Sequence, residues 1–184
     1  MTSRPILFSA PMVRALLDGS KTQTRRVLKS QALEWISTPV GFDPQFIADA
    51  ENRLSPYGQV GDQLWVRETF CDATVGLHGR VLYRATGDTA CKWKPSIFMP
   101  RAASRITLEI TGVRVERLQN ITAADALAEG VIQLPDGGYS LSDTRHYSDS
   151  PDESYASLWE HLNGEGSWNS NPWVWVIEFK KVKP

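Results

Sequence analysis

The stretch GDQLWVRETF (residues 61–70) carries the clearest strand pattern in the sequence, and the fold prediction starts from it. Its first two residues, Gly61 and Asp62, are typical of a turn. The following residues alternate between two faces, and one face carries Leu64, Val66, Glu68 and Phe70. An unpaired buried charge is costly. Glu68 is therefore predicted either to serve a pocket or to pair with an arginine such as Arg101 or Arg105.

Strand and helix patterns continue on both sides of this stretch. Further strands are predicted within residues 80–86, 104–118 and 171–182. The last of these is apolar on both faces as far as Glu178, which predicts a central position in a sheet. Helix signals begin at Pro11, Thr122 and Pro151. These elements predict an α+β fold with a small mixed β barrel or sheet flanked by short α-helices.

Length and composition predict one domain over residues 1–184, large enough to bury a core. Prolines interrupt residues 30–58 and no period is sustained there, so a long loop is predicted. The chain has 20 Lys and Arg against 21 Asp and Glu, so any nucleic-acid contact would come from a local patch.

The two cysteines, Cys71 and Cys91, show no metal-ligand spacing and no clustered histidines nearby. Free thiols, no metal and no cofactor are therefore predicted. The sequence also lacks a signal-peptide pattern and an apolar run long enough for a membrane span. We therefore expect a cytoplasmic protein with no membrane partner, and no pattern indicates an obligatory protein partner.

A second stretch, LLDGSKTQTRR (residues 16–26), brings a lysine, hydroxyls and arginines close together. A threonine becomes a nucleophile when a neighbouring base takes its proton, and a lysine can be that base when its pKa is lowered. A simpler interpretation is a solvated helix end, where cations complement the helix dipole. The residues alone leave both interpretations open.

This stretch resembles the signature G-x-K-x-x-E-x-R of the ASCH domain family, a PUA-like β-barrel group. Gly19, Lys21 and Arg26 match the signature, and Thr24 stands where many members have glutamate. The chain is similar in this respect to bacterial N4-acetylcytidine amidohydrolases and, in length, to ASCH proteins of phages and prophages. The resemblance implies a PUA-like barrel with insertions near residues 30–58, 71–100 and 132–150.

The resemblance also implies roles for individual residues. Lys21 would be the base, Thr24 the nucleophile, and Glu129, at the end of the segment LQNITAADALAEG, would transfer a proton. The implied activity is metal-independent hydrolysis of an amide on an acylated pyrimidine nucleoside. Glu129 could equally be a surface residue near a helix end.

Aromatic and basic residues predict how a ligand would be held. The predicted binding residues are Arg26, Trp65, Glu68, Trp93 and Arg101. An indole can stack on a base and an arginine can contact a phosphate, although each can also serve packing alone. A second functional hypothesis is therefore a module that binds RNA or a modified nucleotide, or a ribonuclease, using the same basic cleft.

Overall fold

A five-stranded mixed sheet forms the centre of the fold. The computed structural model describes residues 1–73, 79–88, 92–141 and 146–182. The sheet consists of β1 (Ser3–Leu7), β2 (Gln23–Val27), β3 (Gln63–Arg67), β6 (Thr107–Arg117) and β9 (Trp173–Val182). The strands lie in the order β1-β3-β6-β9-β2; β1 and β3 are parallel, and the other neighbouring pairs are antiparallel.

Two hairpins, five α-helices and short 3-10 turns accompany the sheet in the described part of the chain. The hairpins are β4 (Phe70–Ala73) with β5 (Arg80–Tyr83), and β7 (Val131–Gln133) with β8 (Tyr139–Leu141). The helices are α1 (Ala10–Asp18), α2 (Ser30–Ile36), α3 (Pro44–Ala48), α4 (Ala123–Ala128) and α5 (Pro151–Asn163). This architecture confirms the predicted α+β class.

Local sequence signals explain the helices that flank the site. In α1, Pro11 lies in the first turn, where its missing N–H costs no hydrogen bond. Gly19 ends the helix with φ 89°, a left-handed conformation that glycine adopts without strain. In α4, Thr122 is the N-cap at the predicted start of the helix, and it forms a reciprocal capping box with Asp125.

The sheet is curved so that its two edge strands approach one another. Arg26 Nη2 on β2 donates to the carbonyl of Leu7 on β1 at 2.8 Å. Residues of both strands line one cavity. No backbone pairing joins β1 to β2 among the described residues, so the sheet there is open rather than a closed barrel.

Three expectations are corrected. Residues 30–58 contain α2, α3 and a 3-10 turn at Ala50–Asn52, although prolines and mixed periodicity predicted only a loop. The strand predicted through Phe70 ends at Arg67, and Phe70 begins the separate β4–β5 hairpin. Cys71 is disulfide-bonded rather than a free thiol, and Cys91 lies outside the described residues.

The core fills the space between the sheet and the helices. It includes Val13 and Leu16 of α1, Leu158 and Trp159 of α5, and the apolar positions of β6 and β9. β9 lies between β6 and β2, as its two apolar faces predicted, and Val174 through Ile177 are all buried. This core holds α1, α4 and α5 against β2, and the candidate site lies where they meet.

Candidate functional site

Lys21 and Glu129 form an ion pair inside the protein. Lys21 Nζ donates to Glu129 Oε2 and to the Glu129 carbonyl oxygen, both at 2.7 Å. The side chains are 0% and 2% exposed, respectively. Two residues that are far apart in sequence, and for which the ASCH resemblance implied related roles, are therefore in direct contact.

The backbone around both residues fixes this contact. Lys21 and Glu129 form an isolated antiparallel bridge, and the Thr22 N–H donates to the Ala128 carbonyl at 2.8 Å. Gly130 follows Glu129 with φ 100°, and a Cβ there would lie 3.3 Å from Lys21 Cβ. A larger residue at position 130 would thus be strained and would crowd the lysine.

Arg25 connects Glu129 to a larger charged network. Its guanidinium lies 2.5 Å from Glu116, 3.3 Å from Asp125 and 3.4 Å from Glu129. Arg114 extends the network through ion pairs with Glu116, Asp125 and Glu178. Charges buried this deeply require such partners, because each one loses its hydration shell on folding.

Burial changes the proton affinities in this network. Desolvation lowers the pKa of Lys21 below its ordinary value, and the Glu129 carboxylate opposes that effect. Desolvation and the charge of Glu129, together with a hydrogen bond to that carboxylate, raise the pKa of Tyr155 well above its ordinary value. Tyr155 therefore stays protonated as a hydrogen-bond donor, while Lys21 loses its proton more readily than a lysine in water.

A cavity of about 430 Å³ opens beside Glu129. It lies between the two edge strands β1 and β2, and α5 covers one side. Apolar side chains make up most of its lining, and the polar and charged residues that line it are Ser9, Arg25, Arg26, Tyr57, Glu129, Tyr155 and Asn163. Small-ligand sites commonly combine such a size with a few converging polar groups.

Thr24 lies next to this cavity in sequence but does not line it. It is fully buried, and its hydroxyl has no hydrogen-bond partner among the described residues. Lys21 does not line the cavity either, although its partner Glu129 does. Of the three predicted catalytic residues, the structure joins Lys21 and Glu129 and leaves the Thr24 hydroxyl without a bond to either.

Four predicted binding residues lie outside this cavity. Glu68 forms two bonds with Arg105, at 2.8 and 2.9 Å, which is the pairing that the sequence offered as one alternative. Trp65 is buried, and Arg101 lies over its ring at 5.8 Å. Trp93 packs against the cluster of Cys71 and Leu82. Only Arg26 of the predicted binding residues lines the cavity, where it also lies over the Phe8 ring at 5.2 Å.

Arg25, Tyr57 and Tyr155 line the cavity, although no sequence pattern indicated a functional role for them. Arg25 could have been recognised from strand alternation, which places it on the same face of β2 as Gln23 and thus toward α4. Tyr155 lies in the helix predicted to begin at Pro151, where no pattern distinguishes a cavity residue from a core residue. Tyr57 falls in the segment predicted to be a loop, where no periodicity indicates which side chains point inward.

The described residues contain no group of three or more His, Cys, Asp and Glu side chains placed to hold a metal ion. In the same part of the chain, none of the helices combines the length and apolar character that crossing a membrane requires. Comparisons with models of protein families, with curated proteins and with solved structures find no match for this chain.

Proposed function

We propose that the protein hydrolyses an amide on an acylated pyrimidine nucleoside bound in the cavity beside Glu129. The observation that carries this proposal is the buried 2.7 Å contact between Lys21 and Glu129, with Glu129 on the cavity wall. The ASCH resemblance, with its PUA-like barrel, supplies the substrate class. The curvature that brings β1 and β2 together supports that relationship.

The proposed chemistry begins at Thr24. Its Oγ1 attacks the amide carbon and passes its proton to the neutral amine of Lys21. The C–N bond then breaks, and the departing amine receives a proton through Glu129. Water hydrolyses the resulting threonyl ester, which releases the carboxylic acid and restores the Thr24 hydroxyl. The net reaction consumes one amide and one water and yields one amine and one acid.

Two properties of the pair support these roles. Burial lowers the pKa of Lys21, which favours the neutral amine that a base requires. Glu129 also lies within reach of Arg25 at 3.4 Å, so the charge on its carboxylate remains compensated when Lys21 changes protonation. Such proton transfer typically contributes about 10²–10⁴-fold to a rate.

The enclosed position of Thr24 favours a second candidate function. A hydroxyl that is 0% exposed reaches a substrate only if β2 or the adjoining side chains move. A module that binds a nucleoside or RNA without cleaving an amide would need the arginines and tyrosines of the cavity but not this hydroxyl. The same distinction applies to a ribonuclease that uses the cations alone.

Chromatography of N4-acetylcytidine incubated with the purified protein tests the proposal. The variants are Lys21→Met, Thr24→Val and Glu129→Gln, and Arg84→Gln is a control because Arg84 is exposed and outside the cavity. Circular dichroism establishes that each variant is folded. Cytidine should accumulate with the wild type and with Arg84→Gln, and the three site variants should be slower by about 10²-fold or more.

Each alternative outcome has its own meaning. Activity retained by Thr24→Val would remove the threonine from the mechanism and leave water as the nucleophile. An inactive wild type that still binds cytidine in calorimetry would favour the binding module. An inactive wild type that cleaves RNA, with loss on Lys21→Met but not on Thr24→Val, would favour the ribonuclease.

A further inference from the structure

A second cavity, of about 540 Å³, adjoins the first. The two cavities share the lining residues Arg26, Val27, Tyr57 and Asn163. The two cavities are therefore neighbours along these residues. The far wall of the second cavity comes from α2 and from residues 53–57, within the segment that was predicted to be a loop.

Positive charge distinguishes the second cavity from the first. Arg26, Lys29 and Arg53 line it, and no carboxylate does among the described residues. None of the three forms an ion pair with a described acidic side chain. In the first cavity, by contrast, Arg25 is neutralised by Glu116, Asp125 and Glu129.

This local excess of charge is not a consequence of overall composition. The formal net charge of the chain is −1, so an average surface region would carry as many acidic as basic groups. Three cations that face one concave space repel one another unless an anion joins them. Arginine also offers paired N–H donors that match the oxygens of a phosphate.

The backbone of Arg53, which lines the second cavity, has an unusual conformation. Its φ of 52° lies in the left-handed region, which side chains larger than glycine or asparagine seldom adopt. This conformation ends the 3-10 turn at Ala50–Asn52, where the Arg53 N–H donates to the Ala50 carbonyl at 3.3 Å. Strained backbone of this kind is concentrated at binding sites.

We propose that the second cavity binds a phosphate group of the ligand whose base occupies the first cavity. The ligand is then a nucleotide or a short oligonucleotide rather than a free nucleoside. The placement of the base rests on the proposed function, whereas the phosphate position rests on Arg26, Lys29 and Arg53. Arg26 lies on the wall of both cavities and would contact the ligand where base and phosphate meet.

Calorimetric titration with cytidine and with cytidine 5′-monophosphate tests this proposal without requiring turnover. The variants are Lys29→Gln, Arg53→Gln and their combination, and both residues are exposed, so the fold should be retained. Arg84→Gln again removes one exposed positive charge outside both cavities. The monophosphate should bind the wild type about tenfold or more tightly than cytidine, as expected for charge-assisted contacts.

The double variant should lose most of that advantage while its affinity for cytidine stays within about twofold. The advantage should persist in Arg84→Gln and weaken with added salt. Equal affinity of the wild type for the two ligands, or an equal loss in Arg84→Gln, would overturn the phosphate site. Failure of the wild type to bind the monophosphate at all would do the same.

Two further comparisons identify the source of the phosphate and distinguish a failure of the phosphate site from a failure of the proposed function. A cytidine trinucleotide that binds more tightly than the monophosphate, with a loss in the double variant, identifies a phosphate of the RNA backbone. A monophosphate that binds at least as tightly identifies a mononucleotide. If chromatography detects no hydrolysis of N4-acetylcytidine or its 5′-monophosphate but the phosphate advantage persists, the hydrolase proposal fails and the phosphate site stands.

Discussion

The ammonium group of Lys21 bonds both the carboxylate and the backbone carbonyl of Glu129, each at 2.7 Å. Lys21 follows α1 and Glu129 follows α4, so this contact joins the ends of two helices just before β2 begins. Because both side chains are almost completely enclosed, neither charge is compensated by water. The contact therefore affects folding as well as any chemistry at the cavity.

Removing one member of this pair should destabilise the protein. Glu129→Gln is expected to lower the free energy of unfolding by about 3 kcal/mol, because it leaves the buried ammonium without its carboxylate. The double variant Lys21→Met with Glu129→Leu should recover part of that loss, since it removes both charges together. Urea denaturation measures both differences from the wild type.

The surface pair Lys180–Glu109 is the matched control for the variants of the buried pair. Its atoms are 2.8 Å apart, but the side chains are 63% and 36% exposed. Lys180→Met should therefore change the free energy of unfolding by about 0–1 kcal/mol. Similar losses from the buried and the surface variants would contradict the assigned burial of the Lys21–Glu129 pair.

Thr24→Val separates chemistry from stability. The Thr24 hydroxyl is buried without a hydrogen-bond partner in the described part of the chain, so replacing it with a methyl group breaks no such bond. We expect the free energy of unfolding to stay the same or rise by about 1 kcal/mol. Thermal and urea denaturation test this, and Thr24→Ser, which keeps the hydroxyl, is the companion variant.

A marked loss of stability in Thr24→Val would mean that the hydroxyl makes a bond in solution. If stability is kept and hydrolysis is lost, the hydroxyl is needed for the reaction itself. The serine variant should then restore part of the activity, because it retains a nucleophilic oxygen at the same position.

Glu68→Ala should lower the stability of the fold and leave the affinity for the ligand unchanged. Glu68 is 2% exposed and accepts two hydrogen bonds from Arg105, and neither residue lines the two cavities. We expect a loss of about 2 kcal/mol in the free energy of unfolding, typical of bonds to charged groups. Affinity for cytidine, measured by calorimetry below the melting temperature, should be unchanged. A weaker affinity would return Glu68 to the binding site that the sequence offered for it.

Local signals in the sequence were sufficient to predict much of the fold. Pro11 and Gly19 delimit α1, and Thr122 and Asp125 cap α4. β9, which is apolar on both faces, is central in the sheet. Each of these features depends on residues that are close together in sequence. The approach of β1 to β2 was not predictable from periodicity. It depends on the twist accumulated over the whole sheet and on one long-range bond from Arg26 to Leu7.

Some residues of the candidate site were likewise predicted and others were not. The resemblance predicted Lys21 and Glu129, and the structure places them in contact. Residues predicted from composition, such as Trp93, were separated from the cavity because aromatic and basic residues serve packing as readily as binding. Tyr57 could not be predicted, since it lies outside any helix or strand and no local pattern indicates that its side chain reaches the cavity.

Asp125 gives a prediction for pH dependence. Burial would raise its pKa, but hydrogen bonds from Thr122 and Gln23 and the charge of Arg25 outweigh burial and lower the pKa to about 2. In the unfolded chain Asp125 has its ordinary pKa of 3.8. Between pH 3.8 and about pH 2 the unfolded chain therefore binds more protons than the folded protein. The contribution of Asp125 to the free energy of unfolding is therefore fully present at a pH above 3.8 and is lost as the pH falls through about 2.

Asp125→Asn removes this carboxylate while keeping an amide oxygen that can still cap α4. At neutral pH we expect the variant to be less stable than the wild type by about 1 kcal/mol, a typical cost for weakening a helix cap. Urea denaturation at a series of pH values should show this difference shrinking as the pH falls from 3.8 toward 2, where the wild type also becomes protonated. Asp152→Asn is the control, because it removes a carboxylate from the first turn of α5. A difference for Asp125→Asn that stayed constant down to the lowest pH would mean that its carboxylate is not held by Thr122, Gln23 and Arg25 in the folded protein.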